Sequence, residues 1–339
     1  MLSWLLLKNN MSYDTDKNYI GIISPSAPVA AFCPKRLARG VEFLEKEGFH
    51  VLLSKHVSAV SGFTAGSASD RAQDIMDMFI DKRVKVIIAT IGGYNANDVL
   101  EYLDYELIAK NNDKIFIGYS DSTILLHALN VKSGVKTVMG PMLLPQFAEF
   151  PQMQKFSYDS FLEIINNLGT GKIYKIPASD KYTEEMLAWD KDDIRARERL
   201  DNKSWQVISS GKASGSLMPA NLNTLNELVG TEYMPDLNGA ILFLEDDSDE
   251  EASTVQRMLR HLKQADLMNN TKGIVFGRFQ QKSEIDTKDI KTILKNVFGD
   301  YNFPVISNLD FGHTDPILSL PVGSVVNINT DPPVINVKL

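Results

Sequence analysis

Between Tyr19 and Gly140, short apolar runs alternate with amphipathic stretches, and this alternation limits the fold more tightly than any other feature of the chain. Apolar runs too short for helices, separated by segments of helical period, are the pattern of a parallel sheet covered by helices on both faces. The spacing predicts strands at Tyr19 to Ile23, His50 to Leu53, Val84 to Thr90, Lys114 to Ile117 and Lys136 to Met139. It predicts a helix from Lys35 to Glu47, with Leu37, Val41 and Leu44 on one face and Gly48 as its stop. A second helix starts near Ser69 and carries Ala72, Ile75, Met76 and Phe79.

Past Pro151 the pattern loosens into a helix from Phe156 to Asn167 and the turn-rich Gly169-Thr170-Gly171. Residues 172–210 mix charges with Trp189 and Trp205 and show no period; Trp205 itself reads as a strand residue. From Gly211 a second unit begins, with a helix at Asn221 to Val229, a strand at Ala240 to Leu244 and a helix carrying Val255, Met258, Leu259 and Leu262. Strands follow at Gly273 to Phe276, Val305 to Ile306, Ser324 to Ile328 and Val334 to Val337. The expected organisation is an amino-terminal α/β domain over residues 1–168, a connecting loop region over 169–210, and a smaller carboxy-terminal α/β domain over 211–339. A length of 339 residues suits two domains, since single cores stop growing below it.

A net charge of -8 argues against a nucleic-acid partner, because no segment supplies the basic face that phosphates require. The single cysteine, Cys33, excludes an internal disulfide and fits a reducing compartment. The apolar start from Met1 to Leu7 is too short for a membrane span or a signal core, and reads as an extension of a cytoplasmic protein with no membrane partner. Neither a cysteine pair nor a His-Glu-x-x-His pattern is present, so no metal or other cofactor is expected.

In wound sheets the ligand sits beyond the carboxyl ends of the strands, so the residues after each strand are the ones to search. Ile91-Gly92-Gly93 follows one strand and Gly118-Tyr119-Ser120-Asp121-Ser122 another. A serine on a sharp strand-to-helix turn has an exposed hydroxyl, and the next N–H can face a developing oxyanion. The turn resembles a Gly-x-Ser-x-Gly elbow with serine in the last place, so Ser120 reads either as a nucleophile or, with Asp121, as the cap of a helix carrying Ile124, Leu125 and Ala128. A nucleophile needs a base and an acid. His127 and His261 fall inside helices and His50 and His56 flank a strand, whereas His313 follows a strand in Asp310-Phe311-Gly312-His313-Thr314-Asp315. Glu245 stands directly after Ile241-Leu242-Phe243-Leu244. The acids at Asp249 to Glu251 suit the start of a helix and lack the glycine of a calcium loop.

The ordered motifs Ser24-Pro25-Ser26-Ala27-Pro28, Gly66-Ser67-Ala68-Ser69-Asp70-Arg71, Thr90-Ile91-Gly92-Gly93, Gly118-Tyr119-Ser120-Asp121-Ser122-Thr123, Gly140-Pro141, Leu244-Glu245-Asp246 and Gly277-Arg278-Phe279 resemble those of the LD-carboxypeptidase family of serine peptidases. Within it they are most similar to the microcin C immunity branch. The resemblance implies a two-domain fold, commonly homodimeric, and a triad of Ser120, Glu245 and His313, with oxyanion donors at the N–H groups of Gly93 and Asp121. Gly92, Trp189, Asn221 and Gln280 fall on substrate-binding positions; Trp189, in Leu187-Ala188-Trp189-Asp190, matches a tryptophan that stacks on the nucleotide part of the substrate. Two departures stand out: Pro219-Ala220 precedes Asn221 where the family has a glycine pair, and Gln280 replaces a glutamate. The activity implied is hydrolysis of an aminoacyl-nucleotide amide, with removal of a terminal D-residue from a murein tetrapeptide as the alternative. A non-catalytic binding protein is a third reading, against which an intact triad argues.

Overall fold

The computed structural model describes residues 19–191 and 193–339, so the apolar segment from Met1 to Leu7 lies outside the described residues. Strands β1 (Tyr19–Ile23), β2 (His50–Leu53), β3 (Val84–Ala89), β4 (Ile115–Gly118) and β5 (Lys136–Met139) form a parallel sheet in the order β5-β4-β3-β1-β2. They lie within a residue of their expected bounds. Ile20, Ile22, Ile87, Ile88, Phe116 and Ile117 are buried, as expected where helices cover a parallel sheet and its strands are apolar on both sides. The covering helices include α1 (Pro34–Lys46), α2 (Ala68–Ile80), α3 (Thr123–Ser133) and α4 (Lys155–Asn167). Ser67 starts α2 by accepting from the Asp70 N–H, and Gly134 ends α3 at φ +63°, a left-handed stop that glycine adopts without strain.

The chain then adds β6 (Ile173–Lys175), a two-stranded ribbon of β7 (Lys181–Tyr182) and β8 (Leu200–Asp201), and β9 (Gln206–Ser209). Helices α5 (Leu222–Glu227), α6 (Ala252–Gln264) and α7 (Thr287–Phe298) alternate with β10 (Lys212–Asn221), β11 (Ala240–Glu245), β12 (Gly273–Gly277) and β13 (Val305–Leu309). The end of the chain forms β14 (Leu320–Pro321), β15 (Val325–Thr330) and β16 (Pro333–Lys338). The second sheet runs β6-β16-β15-β10-β11-β12-β13-β9, parallel from β10 to β13 and antiparallel at its flanks. Two stretches of the segment expected as a loop, β6 and β9, are thus edge strands of this sheet, and Trp205 sits just ahead of β9 rather than within a strand.

The two sheets are joined by more than the connector. β14 pairs antiparallel with β5, placing a strand from near the carboxyl end on the edge of the first sheet. The Val322 N–H then donates to Thr137 of the first sheet and the Gly323 N–H to Leu217 of the second. One buried apolar cluster includes Phe116 and Ile117 together with Ile241, Phe243 and Val326, so the halves share a core. Among the described residues no helix is long and apolar enough to cross a membrane.

Candidate active site

The first sheet reverses its winding between β1 and β3, and such switch points place strand-end loops around a crevice. Because β3 and β4 are hydrogen-bonded neighbours, the Gly92-Gly93 loop lies beside the turn that follows β4. That turn is tight: a β-carbon on Gly118 would sit 2.7 Å from the Ser122 β-carbon, so the chain can fold back there only on glycine. Ser120 follows with φ +58°, a left-handed conformation that costs a non-glycine residue energy and thrusts its hydroxyl out of the turn.

The sequence left open whether Ser120 or Asp121 caps the following helix. Neither does. No side chain caps the short 3₁₀ turn Ser120–Ser122 or the start of α3. Asp121 is buried and turns its carboxylate sideways, accepting from the Ser26 hydroxyl and from the Ala96 N–H at 2.9 Å. The hydroxyl of Ser120 lies 3.1 Å from Nε2 of His313, and Nδ1 of His313 lies 2.7 Å from Oε2 of Glu245.

Glu245 is the last residue of β11 and is buried. Gly312, at φ +99°, allows the His313 loop to pass over it; a β-carbon there would fall 2.5 Å from Glu245 Oε2. Arg278 holds this loop on both sides of the histidine, donating to Asp310 at 2.6 Å and to Thr314 at 3.0 Å. Burial works against a proton on His313, but the Glu245 carboxylate outweighs it and raises the imidazole to about 9. Asp246 is pushed up to about 7 by burial and by Glu245; it accepts from Asn221 Nδ2 at 3.0 Å and from the Asn223 N–H at 2.9 Å.

Gly92, Gly93, Ser120, Trp189, Gln280 and His313 line one cleft of about 410 Å³. A β-carbon on Gly92 would stand 3.3 Å from both Ser120 Oγ and the Asp121 nitrogen, so the glycine keeps the space before these atoms open. Asn221 is not part of this lining. Its side chain is buried, caps α5 through the Thr224 N–H and donates to Asp246. The Arg36 guanidinium lies 4.2 Å from the Trp189 ring centre, and Arg36 is paired with Asp193 at 2.7 Å. Trp189 is therefore anchored at one face by cation–π contact while bordering the cleft.

Sequence reasoning missed several residues here. Tyr94 and Met186 form an exposed apolar rim, at 80% and 73% exposure. Arg197 and Asp315 also line the cleft, and Arg197 joins Glu149 and Asp315, each at 2.7 Å. A helical acid-to-base spacing would reveal such a cluster, but these partners are far apart in the chain.

The model of the LD-carboxypeptidase N-terminal domain matches residues 20–140, and that of the LD-carboxypeptidase C-terminal domain matches residues 214–328. The chain belongs to the LD-carboxypeptidase family. As a member of that family it is a serine peptidase, and hence a hydrolase. It is 34% identical to the microcin C7 self-immunity protein MccF of Escherichia coli over 314 residues, covering 92% of this chain and 90% of the relative. A probable murein peptide carboxypeptidase of Bacillus subtilis is 30% identical over 318 residues, covering 92% and 88%. A structure of MccF in complex with glutamyl sulfamoyl guanosine superposes with a TM-score of 0.86 at 33% identity, covering 96% of each chain.

Proposed function

We propose that Ser120, His313 and Glu245 are the catalytic triad of an LD-carboxypeptidase-family amidase that cleaves aminoacyl-nucleotide amides of the microcin C kind, conferring self-immunity or detoxification. The observation that carries this reading is the unbroken line from Ser120 Oγ through His313 to Glu245, at 3.1 Å and 2.7 Å. Ser120 Oγ attacks the amide carbonyl carbon as His313 Nε2 takes its proton. The carbonyl oxygen becomes an oxyanion that accepts from the N–H groups of Gly93 and Asp121. The C–N bond then breaks as His313 returns the proton to the leaving nitrogen, leaving an acyl ester on Ser120. Water, deprotonated by His313, hydrolyses that ester. Glu245 holds the tautomer that keeps Nε2 free to accept, and it stabilises the imidazolium between transfers.

The nucleotide preference is supported by Trp189, held flat by Arg36 at the cleft border and suited to stack on a base. A second reading, removal of a terminal residue from an L,D-linked murein peptide, is favoured by another observation. Glu184, Asp247 and Asp249 line the cleft near Gln280, and carboxylates suit the free ammonium of such a peptide better than a phosphate. A cytoplasmic homodimer completes the proposal, with residues 1–168 bearing the nucleophile and 211–339 the acid and base; sedimentation of the purified protein tests the oligomeric state.

The deciding experiment offers an aminoacyl-nucleotide amide and an L,D-tetrapeptide to wild type and to Ser120→Ala. Wild type is expected to turn over the nucleotide amide faster, and the alanine variant to bind it without hydrolysis. Undiminished hydrolysis by Ser120→Ala would overturn the mechanism, and a preference for the tetrapeptide would overturn the substrate class.

A further inference from the structure

Three loops meet beside Ser120, one after each of β1, β3 and β4, and three buried polar side chains tie them together. Asp121 sits directly after Ser120 on the third loop. Its Oδ2 accepts both from the hydroxyl of Ser26, on the first loop, and from the N–H of Ala96, on the second. Arg71 projects from α2 beneath them, and its Nη1 donates to the carbonyls of Pro25 at 2.7 Å and Asn95 at 2.8 Å. Ser26, Arg71 and Asp121 are each at most 3% exposed. Burial raises the Asp121 carboxyl, and the hydrogen bonds from Ser26 and Ala96 oppose the rise.

The lattice bears directly on Gly93. The Ala27 N–H donates to the Gly92 carbonyl at 3.2 Å, and a β-carbon on Gly93 would fall 2.9 Å from the Ala27 nitrogen and run into the Ser26 hydroxyl. Gly93 is thus seated against the first loop, while the Asp121 N–H belongs to the third. The Asp121 carboxylate links the third loop to the first through Ser26 and to the second through the Ala96 N–H, and Arg71 fixes the first loop to the second.

We propose that the Asp121 side chain, with Ser26 and Arg71, is a positioning device that sets the spacing of the oxyanion-binding N–H groups relative to the Ser120 hydroxyl. This rests on the reading of Gly93 and Asp121 as the oxyanion donors. Asp121 then has two separate parts: its backbone faces the reacting carbonyl and its carboxylate gathers the loops. An oxyanion site misplaced by about an ångström loses about 10²-fold in rate, because the donors must meet the tetrahedral oxygen rather than the ground-state carbonyl.

The test measures kcat, KM and the inhibition constant of an aminoacyl boronate for wild type, Asp121→Ala, Asp121→Asn, Ser26→Ala and Ser120→Ala. The boronate forms a tetrahedral adduct on serine and reports on the oxyanion site independently of turnover. Asp121→Ala and Ser26→Ala are expected to lower kcat about 10- to 100-fold with KM within about twofold, and to weaken the boronate by the factor lost from kcat. Asp121→Asn keeps an oxygen for both donors and is expected to recover part of the loss. If Asp121→Ala does not fold, Ser26→Ala carries the test, since it removes one hydroxyl and leaves the carboxylate in place. Wild-type kcat and boronate affinity in Ser26→Ala, with only a lower melting temperature, would refute the device. So would a fall in kcat without a matching loss of boronate affinity. Activity surviving in Ser120→Ala refutes the underlying catalytic reading instead, so the two failures are distinct.

Discussion

Replacing Glu245 by glutamine removes a charge and leaves the shape of the side chain, and the geometry around His313 turns that change into a pH-dependent defect. With the carboxylate 2.7 Å from Nδ1, the imidazole titrates at about 9, against an ordinary value of 6.5. Under the proposed mechanism the carboxylate has two opposed effects on the reaction. It keeps His313 protonated, so at pH 7 only about 1% of molecules hold the free base, compared with about 75% for an imidazole of ordinary pKa. It also fixes the productive tautomer, the loss of which costs about 10⁴-fold in a serine triad. Glu245→Gln gains the first factor and loses the second, so kcat/KM falls about 10²-fold at pH 7 and approaches a fall of about 10⁴-fold near pH 10, where wild type is mostly deprotonated. In wild type, kcat/KM rises with pH through about 9, and in the variant the limb moves down toward 6.5. Initial rates of amide hydrolysis from pH 5.5 to 10, with thermal melting as a control for folding, supply the comparison. A limb that stays near 9 in Glu245→Gln, or an equal defect at every pH, would show that Glu245 does not govern this histidine.

Gly92→Ala places a methyl group 3.3 Å from both Ser120 Oγ and the Asp121 nitrogen, so kcat is expected to fall about 10²- to 10³-fold with little change in melting temperature. Trp189→Ala is expected to raise KM for nucleotide-bearing substrates about 5- to 100-fold and to leave KM for tetrapeptides unchanged; an equal rise for both would remove the stacking role. Arg197→Met leaves the Glu149 and Asp315 carboxylates without their shared cation, and denaturant titration is expected to show a loss of about 3–5 kcal/mol. Burial already raises the Glu149 carboxyl, and without Arg197 it keeps only the longer pair with Arg36 at 3.5 Å, so protonation relieves the under-compensated charge and that loss should shrink as pH falls.

The strands of the first sheet were legible because burial on both faces makes each a continuous apolar run. β10 was not, because KASGSLMPAN passes from a half-exposed flank into the core and offers small residues and a proline in place of branched ones. α7 went unassigned although Asp286 caps it and Ile290, Ile293, Leu294 and Val297 recur at helical spacing, so here the signal was present in the residues. The short strands β6 and β9 exist only through their partners and leave no pattern of their own. In the candidate site, Ser120, Glu245 and His313 were legible as candidates because each stands at or shortly after a strand end, and position relative to a strand end is local information. The carboxylate of Asp121, the stacking of Arg36 on Trp189 and the group around Arg197 join residues that sequence spacing does not relate. Asn221 shows the converse: a motif match located the residue, but not the direction in which its amide points.

β14 also bears on the order in which this enzyme becomes active during synthesis. Ser120 and His313 stand 193 residues apart, and the segment after His313 must return to the edge of β5 before crossing to β10. A ribosome that has released only the first half leaves that edge open and the proposed nucleophile without its proposed base. On that proposal, activity arrives with the last stretch of the chain, and a truncated copy is expected to be silent rather than partly active. The same stitch makes the halves poor candidates for exchange between relatives by simple recombination, because the second half carries a strand addressed to the first half's sheet.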